Sequence, residues 1–332
     1  MLKVSKSSSK KTISVFIPTY NGEKYIASTL DSLINQILPK DYELEILVTD
    51  SGSKDKTLEI LDAYKDQITL DIIPNKEFGH GKTRQRAAQK AKGEFILFLT
   101  QDATPTSHNW IIDMIEPFYL SDSVGCVYGR QIPRPDVAPT IKREVSEVFN
   151  RFGPEDAIMI HRKFSLIDGA ETQSANNFLS DVNSAFKRRL LVEDVPFRDL
   201  DYSEDQAIAL DIFNKKMLKA YSSRGAVWHS NEYTANEYYH RKFDEYIGLQ
   251  ESVKHKFTPS RKELIFAWIK PTLHDWKFIL KDKDYSLFSK CYWLLLSPFY
   301  NFANFAGKYQ AIKHFDDINK RTEISLEYRR KK

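Results

Sequence analysis

The sequence predicts an α/β fold with a mainly parallel, doubly wound sheet, followed by a helical region rich in aromatic and basic residues. Short apolar runs of β-forming residues alternate with segments of helical periodicity, and polar clusters follow the ends of those runs. The second region differs in charge: residues 241–332 carry a net +8, whereas residues 1–240 carry −4. We therefore expect a mildly acidic body and a basic tail with a separate task.

The first two strand–helix units are predicted over residues 13–37 and 44–64. ISVFIP (13–18) predicts a strand that stops at Pro18, and residues 23–37 then place apolar side chains at helical spacing. LEILVTD (44–50) predicts a second buried strand, followed by a short helix over 58–64.

The same alternation continues through the next units. ITLDII (68–73) predicts a third strand, RQRAAQKAK (84–92) a helix ended by Gly93, and EFILFLT (94–100) a fourth strand. Further along, a helix is predicted over 203–218 and a strand over 219–228, and residues after about 235 read as helical. Ligands of such sheets bind at the carboxyl ends of the strands, so functional residues should follow these runs.

Composition limits the class of protein. The 332 residues are 42% hydrophobic and 28% charged, as in an ordinary globular protein. Two cysteines cannot form a disulfide framework, and no apolar run approaches the roughly 18 residues needed to span a bilayer. The polar, basic N-terminus has no secretory signal, so we expect a cytoplasmic protein.

One short stretch raises an alternative. FGHGKTRQ (78–85) contains Gly81-Lys82-Thr83, the end of a phosphate-binding loop, but that signature also needs a glycine at position 76, where this chain has Lys76. A nucleotidyltransferase or triphosphatase that uses this loop is disfavoured and stays open as an alternative.

Acidic residues follow two of the predicted strands. Asp50 ends the second strand and is placed to contact a ligand or cation, whereas Asp55 could equally cap the next helix. Asp102 follows the fourth strand in Thr100-Gln101-Asp102 and could bind a divalent cation that bridges a diphosphate.

Taken together, ISVFIPTYNGEKYIASTLDSL, the segment DSGSKD after the second strand, and the arginine-bearing helix before FLTQDA resemble an inverting family 2 glycosyltransferase of the GT-A fold, which is a Rossmann-like sheet flanked by helices. The resemblance covers about residues 12–232. FGHGKTR followed by FLTQDATP is most similar to bacterial rhamnosyltransferases that use dTDP-L-rhamnose. The resemblance to family 2 glycosyltransferases implies three parts of the chain: a polar tail over 1–11, a glycosyltransferase domain over 12–235 and a helical region over 236–332.

The resemblance also assigns donor-binding residues. It places the nucleotide in loops carrying Thr19, Asn21, Asp50 and Ser53, with Asp50 on the base. It further implies that the lip of the pocket and the diphosphate contacts come from a set of polar residues: His80, Lys82, Arg84, Gln101, Asp102 and Asn183. A solvated loop is an equal reading for Lys82, and a buried turn is the competing reading for Asn183.

A cation and a base complete the expected chemistry. By resemblance Asp102 and His229 hold Mn²⁺ or Mg²⁺, although Thr100 replaces the first aspartate of the family's Asp-x-Asp motif. Glu204-Asp205 resembles the Glu-Asp motif that opens a helix and supplies the base, with Asp205 as that base and Ser203 as the helix N-cap. Two adjacent acids cannot share one helix face, so one should reach the acceptor and the other should orient a neighbour.

The expected partners follow from the tail. Aromatic residues among lysines suit the cytoplasmic face of the inner membrane, where a lipid-linked saccharide would be the acceptor; packing within the chain or in a homo-oligomer is nearly as good an explanation. No nucleic-acid-binding motif is present. A non-catalytic membrane-binding scaffold is the remaining alternative, and the intact Asp102, Glu204-Asp205 and His229 argue against it.

Overall fold

The computed structural model describes residues 10–163, 178–200, 203–253 and 266–330, and they form one curved sheet with helices on both faces. The strands are β1 (Lys11–Thr19), β2 (Tyr42–Asp50), β3 (Ile68–Ile72), β4 (Phe95–Leu99), β5 (Thr104–Pro105), β6 (Val124–Ile132), β7 (Ile158–His161), β8 (Asn183–Lys187) and β9 (Leu218–Trp228). The helices of the body are α1 (Ile26–Ile34), α2 (Thr57–Ala63), α3 (His80–Lys90), α4 (Trp110–Leu120), α5 (Pro139–Asn150) and α6 (Glu204–Asn214).

The strand order is β3-β2-β1-β4-β8-β6-β9-β5, with β7 paired to β9. The β3-β2-β1-β4 half is entirely parallel, as the alternating pattern predicts. In the other half β8 runs antiparallel between β4 and β6, while β6 and β9 are parallel. The carboxyl ends of β1, β2 and β4 therefore lie side by side at one edge.

Helices cover both faces because β1 alternates its side chains between two cores. Ile13, Val15 and Ile17 pack with the residues of α1 and α4 on one face. Phe16 points to the other face, where it meets Phe98 edge-on in the core beneath α3 and α6.

The end of α3 differs from the prediction. The helix ends at Lys90, and Gly93 does not cap it. A Cβ at Gly93 would lie 2.6 Å from the backbone nitrogen and the Oγ of Ser14, so glycine is needed there for the close approach of β1.

Among the residues described after the sheet there are five helices: α7 (Ala235–Val253), α8 (Ile269–Lys281), α9 (Leu287–Lys313), α10 (Ile318–Ile324) and α11 (Leu326–Arg330). They are docked on the body through α5. Asp275 is completely buried and accepts hydrogen bonds from Thr140, Arg143 and Asn301, so one carboxylate on α8 joins α5 to α9. Within the described part of the chain, no helix has the length and apolar character required to cross a bilayer.

Candidate active site

The loops after β1 and β2 are joined through Asp50. Its side chain is fully buried, and one oxygen accepts from the Thr19 and Ser53 hydroxyls at 3.0 and 2.6 Å. The other oxygen accepts the backbone N–H groups of Gly52 and Ser53, both at 2.9 Å. With both oxygens engaged inside the protein, Asp50 holds the loops after β1 and β2 together and has no free face to present to a nucleotide base.

Asn21 and Gln101 also serve the shape of this edge. Asn21 adopts a left-handed φ of 48°, and its side-chain oxygen accepts from the backbone of Lys54 at 2.8 Å. The Gln101 amide pairs twice with the backbone of Tyr20, at 2.9 and 3.0 Å, which fixes the end of β4 against the end of β1. Both predicted donor residues lie at the expected edge, with their amides directed at neighbouring backbone.

Asp102 and His229 lie together, as the sequence predicts. The Nε2 atom of buried His229 is 3.6 Å from the Asp102 carboxylate, and its Nδ1 atom is 3.0 Å from the side-chain oxygen of Gln131. Gln131 donates from its amide nitrogen to Ser180 at 2.9 Å, which leaves its oxygen to accept from His229 Nδ1. Burial lowers the pKa of His229, so the neutral ring directs the Nε2 lone pair at Asp102.

A lone pair and a carboxylate oxygen 3.6 Å apart can both coordinate one divalent cation. In the described ranges no group of three or more histidine, cysteine or acidic side chains converges as a complete metal cage. Two protein ligands suit a cation whose remaining positions are filled by water and substrate phosphates. The residues therefore fit an Mn²⁺ or Mg²⁺ ion, which Asp102 and His229 would hold.

The Gly81-Lys82-Thr83 stretch forms the first turn of α3, and Gly81 is a packing residue. A Cβ there would lie 1.9 Å from the backbone oxygen of Arg198, so that oxygen occupies the space above the turn. Lys82 is half-buried and lies along Gly79, and His80 is half-buried with its Nε2 atom 3.9 Å from Glu327. This arrangement leaves no room for the phosphate cradle of a triphosphate loop.

A buried charge cluster lies behind this turn. Arg84 donates to Glu204 at 2.6 Å, and its Nε atom is 3.5 Å from Asp181. Burial raises the pKa of Asp181 to about 6 and raises the pKa of Asp205 well above its ordinary value, with the neighbouring Glu204 carboxylate adding to the rise in Asp205. Arg84 opposes both rises.

The two adjacent acids of α6 face different ways. Glu204 is buried against Arg84, whereas Asp205 is partly exposed and accepts only from the backbone of Gln206 among the hydrogen bonds found for it. This is the division expected of a base and its orienting neighbour. Ser203 precedes the helix with a left-handed φ of 59° and makes no side-chain capping bond, contrary to the prediction.

Asn183 is a core residue, which corrects its assignment as a donor contact. It is completely buried at the start of β8, and its oxygen accepts from the Trp110 indole at 3.1 Å. Its nitrogen donates to the carbonyls of Gly225 and Arg130. With every polar atom of the amide paired inside, it has nothing left for a sugar.

The structure brings one positively charged side chain, Arg134, to this site, and it was not identified from the sequence. The Arg134 guanidinium stacks on the Tyr25 ring, 4.0 Å from its centre, and donates to the Asp102 carbonyl at 2.8 Å. Its Nε atom is buried without a partner. Arg134 follows β6 in a proline-rich segment, and no sequence motif marks it. Only the fold brings it close to Asp102 and His229.

The C-terminal helices also reach the site. Asp244 on α7 accepts the backbone N–H groups of Leu326 and Glu327 at 2.9 and 3.2 Å, which anchors α11. Glu327 then lies between His80 and Arg241, at 3.9 and 3.8 Å. The tail is therefore part of the wall beside α3.

Comparisons with known proteins agree with this geometry. Residues 14–193 match the family model described as glycosyl transferase family 2. The chain is 27% identical over 315 residues to the O-antigen chain rhamnosyltransferase RfbN of Salmonella typhimurium, covering 92% of this chain and 91% of that protein. It is 26% identical to the O-antigen chain rhamnosyltransferase WbaN of Salmonella anatum, covering 82% and 81%.

A solved structure supports the fold. The mannosyltransferase PcManGT from Pyrobaculum calidifontis, in complex with GDP-Man and Mn²⁺, superposes with a TM-score of 0.59 at 16% identity, over 93% of this chain and 88% of that one. At this identity the likeness concerns the fold alone.

Proposed function

The chain belongs to glycosyl transferase family 2 and is a glycosyltransferase of polysaccharide synthesis, and from this we propose that it transfers L-rhamnose from dTDP-L-rhamnose to a hydroxyl group of a lipid-linked glycan, with inversion. The donor sugar rests on the two rhamnosyltransferases, which match 92% and 82% of the chain. The observation that carries the chemistry is the pairing of a cation site, Asp102 and His229, with a carboxyl of raised pKa, Asp205, at the carboxyl side of the sheet.

The reaction needs a proton acceptor near the acceptor sugar. The Asp205 carboxylate takes the proton of the attacking hydroxyl as the new glycosidic bond forms at the anomeric carbon, and the bond from that carbon to the nucleoside diphosphate breaks on the opposite face. A raised pKa makes Asp205 a stronger base once it is ionised. Glu204 holds Arg84, and the positive charge of Arg84 opposes the rise in the pKa of Asp181 and of Asp205.

The leaving diphosphate carries the negative charge that the reaction releases. Asp102 and His229 are the residues that would hold a divalent cation, and this ion supplies charge neutralisation for that leaving group. Gln131 fixes the His229 tautomer, and Arg134 adds a fixed positive charge beside the same loop.

The acceptor is proposed to reach the enzyme at an anionic membrane surface on the cytoplasmic side. Helix α9 exposes large apolar side chains three and four residues apart, each more than half accessible: Phe288, Tyr292, Leu295, Phe299 and Phe302. The stripe belongs to a tail of net charge +8. An aromatic face in a basic region suits the headgroup region of such a membrane, and pairing with a second copy of the chain is the competing use of the same face.

Two earlier alternatives lose support. The triphosphatase reading requires an open phosphate loop, and the Arg198 carbonyl lies over Gly81. The scaffold reading requires a decayed site, and the Asp102–His229 pair and the Arg84 cluster are both intact.

The test is donor selection by the purified chain. Thermal unfolding is followed with dTDP-L-rhamnose, UDP-GlcNAc, GDP-mannose and ATP, each with Mn²⁺ and with EDTA. We expect dTDP-L-rhamnose with Mn²⁺ to raise Tm most and EDTA to remove most of that rise. A larger rise with ATP would contradict the proposal, and a larger rise with another nucleotide sugar would replace the donor and keep the reaction class.

A further inference from the structure

A cavity lined by basic side chains lies outside the candidate active site, between the body and the C-terminal helices. This cavity of about 520 Å³ opens between α5, α7, α8 and α9, and none of its lining residues belongs to the site described above. Its wall carries six basic or potentially basic side chains: Arg143, Arg151, Lys242, Lys270, His274 and Lys308. The volume lies within the range of small-ligand pockets.

The two acidic side chains of the wall already have partners. Glu147 pairs with Arg143 at 3.1 Å. Glu144 pairs with Lys242, also at 3.1 Å, and accepts from the Tyr238 hydroxyl at 2.6 Å. Neither carboxylate is therefore left to neutralise the other cations.

The remaining cations lack acidic partners. In the described segments no carboxylate lies within ion-pair distance of Arg151, Lys270 or Lys308. The Lys308 ammonium lies 5.1 Å from the centre of the Tyr246 ring, and burial lowers its pKa. Glu144 and Glu245 oppose this fall in the pKa of Lys308, but neither lies within ion-pair distance of its ammonium group. A lysine in such a partly desolvated pocket gains from a ligand that brings negative charge.

We propose that this cavity binds a phosphate or diphosphate group. Several cationic donors on different helices converge on one pocket, and phosphate oxygens accept from such a set better than any neutral ligand does. The site is separate from the donor site and does not depend on the identity of the transferred sugar.

The surroundings favour a phosphate that carries an apolar tail. Trp268 comes two residues before Lys270, and its ring packs edge-on against Phe302, with centres 6.3 Å apart. Phe302 belongs to the exposed stripe of α9 and adjoins Asn301, which lines the cavity. The phosphate pocket thus lies next to the aromatic face, where a lipid chain would run.

The experiment first uses pyrophosphate as the probe. Binding to the full chain is measured by calorimetry in EDTA, which silences the cation-bridged donor site, for wild type, Lys270→Glu, Lys308→Met and the control Lys281→Glu. Lys281 lies on the same helix as Lys270 and is exposed outside the cavity, so its substitution makes the same change in net charge.

We expect binding to weaken at least ~10-fold in Lys270→Glu and Lys308→Met and to change less than ~2-fold in Lys281→Glu. Nucleotide-sugar binding with Mn²⁺ should stay unchanged in all three variants, which separates a failure here from a failure of the proposed function. Absence of pyrophosphate binding, or equal weakening in the control, overturns the site.

Vesicles then identify the source of the phosphate. Membranes containing phosphatidic acid, a phosphate monoester, are compared with phosphatidylglycerol membranes of equal charge. A preference for phosphatidic acid that disappears in Lys270→Glu assigns the pocket to a lipid-borne phosphate. Equal binding to both membranes, with pyrophosphate binding intact, assigns it to a soluble phosphate compound.

Discussion

Two substitutions in the charge cluster around Arg84 should shift the pH dependence of catalysis in opposite directions. Asp205 must be ionised to accept a proton, so kcat/KM should rise with pH through the titration of the cluster. Glu204→Gln removes a negative charge that raises the pKa of Asp205, so the acid limb of the profile should move to lower pH. Arg84→Gln removes the positive charge that lowers it, so the limb should move to higher pH.

The size of the shift follows from the charges. With all groups ionised, one arginine and the three acids Asp181, Glu204 and Asp205 carry a net −2, and Glu204→Gln reduces this to −1. A single charge within about 4–6 Å commonly moves a carboxyl pKa by ~1–3 units. We therefore expect a displacement of about one pH unit or more, which is about tenfold in rate on the steep part of the limb.

The assay is the pH profile of sugar transfer for wild type and both variants. Glu204→Gln keeps an oxygen that can accept from Arg84, so it should fold, whereas Arg84→Gln leaves buried acids uncompensated and should lose about 3–5 kcal/mol of stability. Asp211→Asn, on the same helix and paired with Arg198, is the control of equal charge change and should leave the profile in place. If the acid limb of the Glu204→Gln profile stays in place or moves to higher pH, the charges of this cluster do not set the pKa of the catalytic base.

Four other outcomes are expected. Gln131→Leu should weaken Mn²⁺-dependent donor binding by roughly 10–100-fold in a metal titration, because the His229 ring loses the hydrogen bond that fixes its tautomer. Unchanged metal affinity would show that Gln131 does not orient His229 for the metal. Gly81→Ala should lower Tm, with a cost of about 1–3 kcal/mol from the contact with the Arg198 carbonyl, although alanine is the better helix former; a higher Tm would show that the contact relaxes freely. Ending the chain after Asp317 should lower Tm by removing the helix that Asp244 anchors, and an unchanged Tm would count against that docking. Co-sedimentation with anionic vesicles should fall as salt rises, and no binding at low salt would exclude the membrane role.

The parallel half of the fold could be predicted because its signals are local. The central residues of two such runs, 46–50 and 95–99, are buried on both faces, and the runs that contain them are apolar enough to be recognised as strands. The antiparallel insertion of β8 between β4 and β6 could not be predicted, since strand order depends on pairings between residues far apart in the chain.

Some residues of the candidate site could likewise be predicted from the sequence, and others could not. Asp102 could be predicted as a cation ligand because it follows a buried strand, whereas the assignment of His229 depends on the family resemblance. The fold brings the two side chains together. Asp50 and Asn183 were misjudged in part because their types suit either a ligand or a buried hydrogen-bond network, and only burial tells these uses apart. No local sequence pattern marks Glu327, and its place beside His80 depends on how the C-terminal helices pack. A chain ended near Glu237 would therefore lack part of the wall beside α3.

The most direct test of the account is Asp205→Asn. Transfer of radiolabelled rhamnose from dTDP-L-rhamnose to a membrane acceptor fraction is measured beside donor binding in Mn²⁺. We predict that transfer falls by roughly 10²–10⁴-fold while donor affinity stays within about twofold, because the base acts on the acceptor only. Transfer near the wild-type rate would show that another group takes the proton, and an equal loss of donor binding would place Asp205 on the nucleotide sugar.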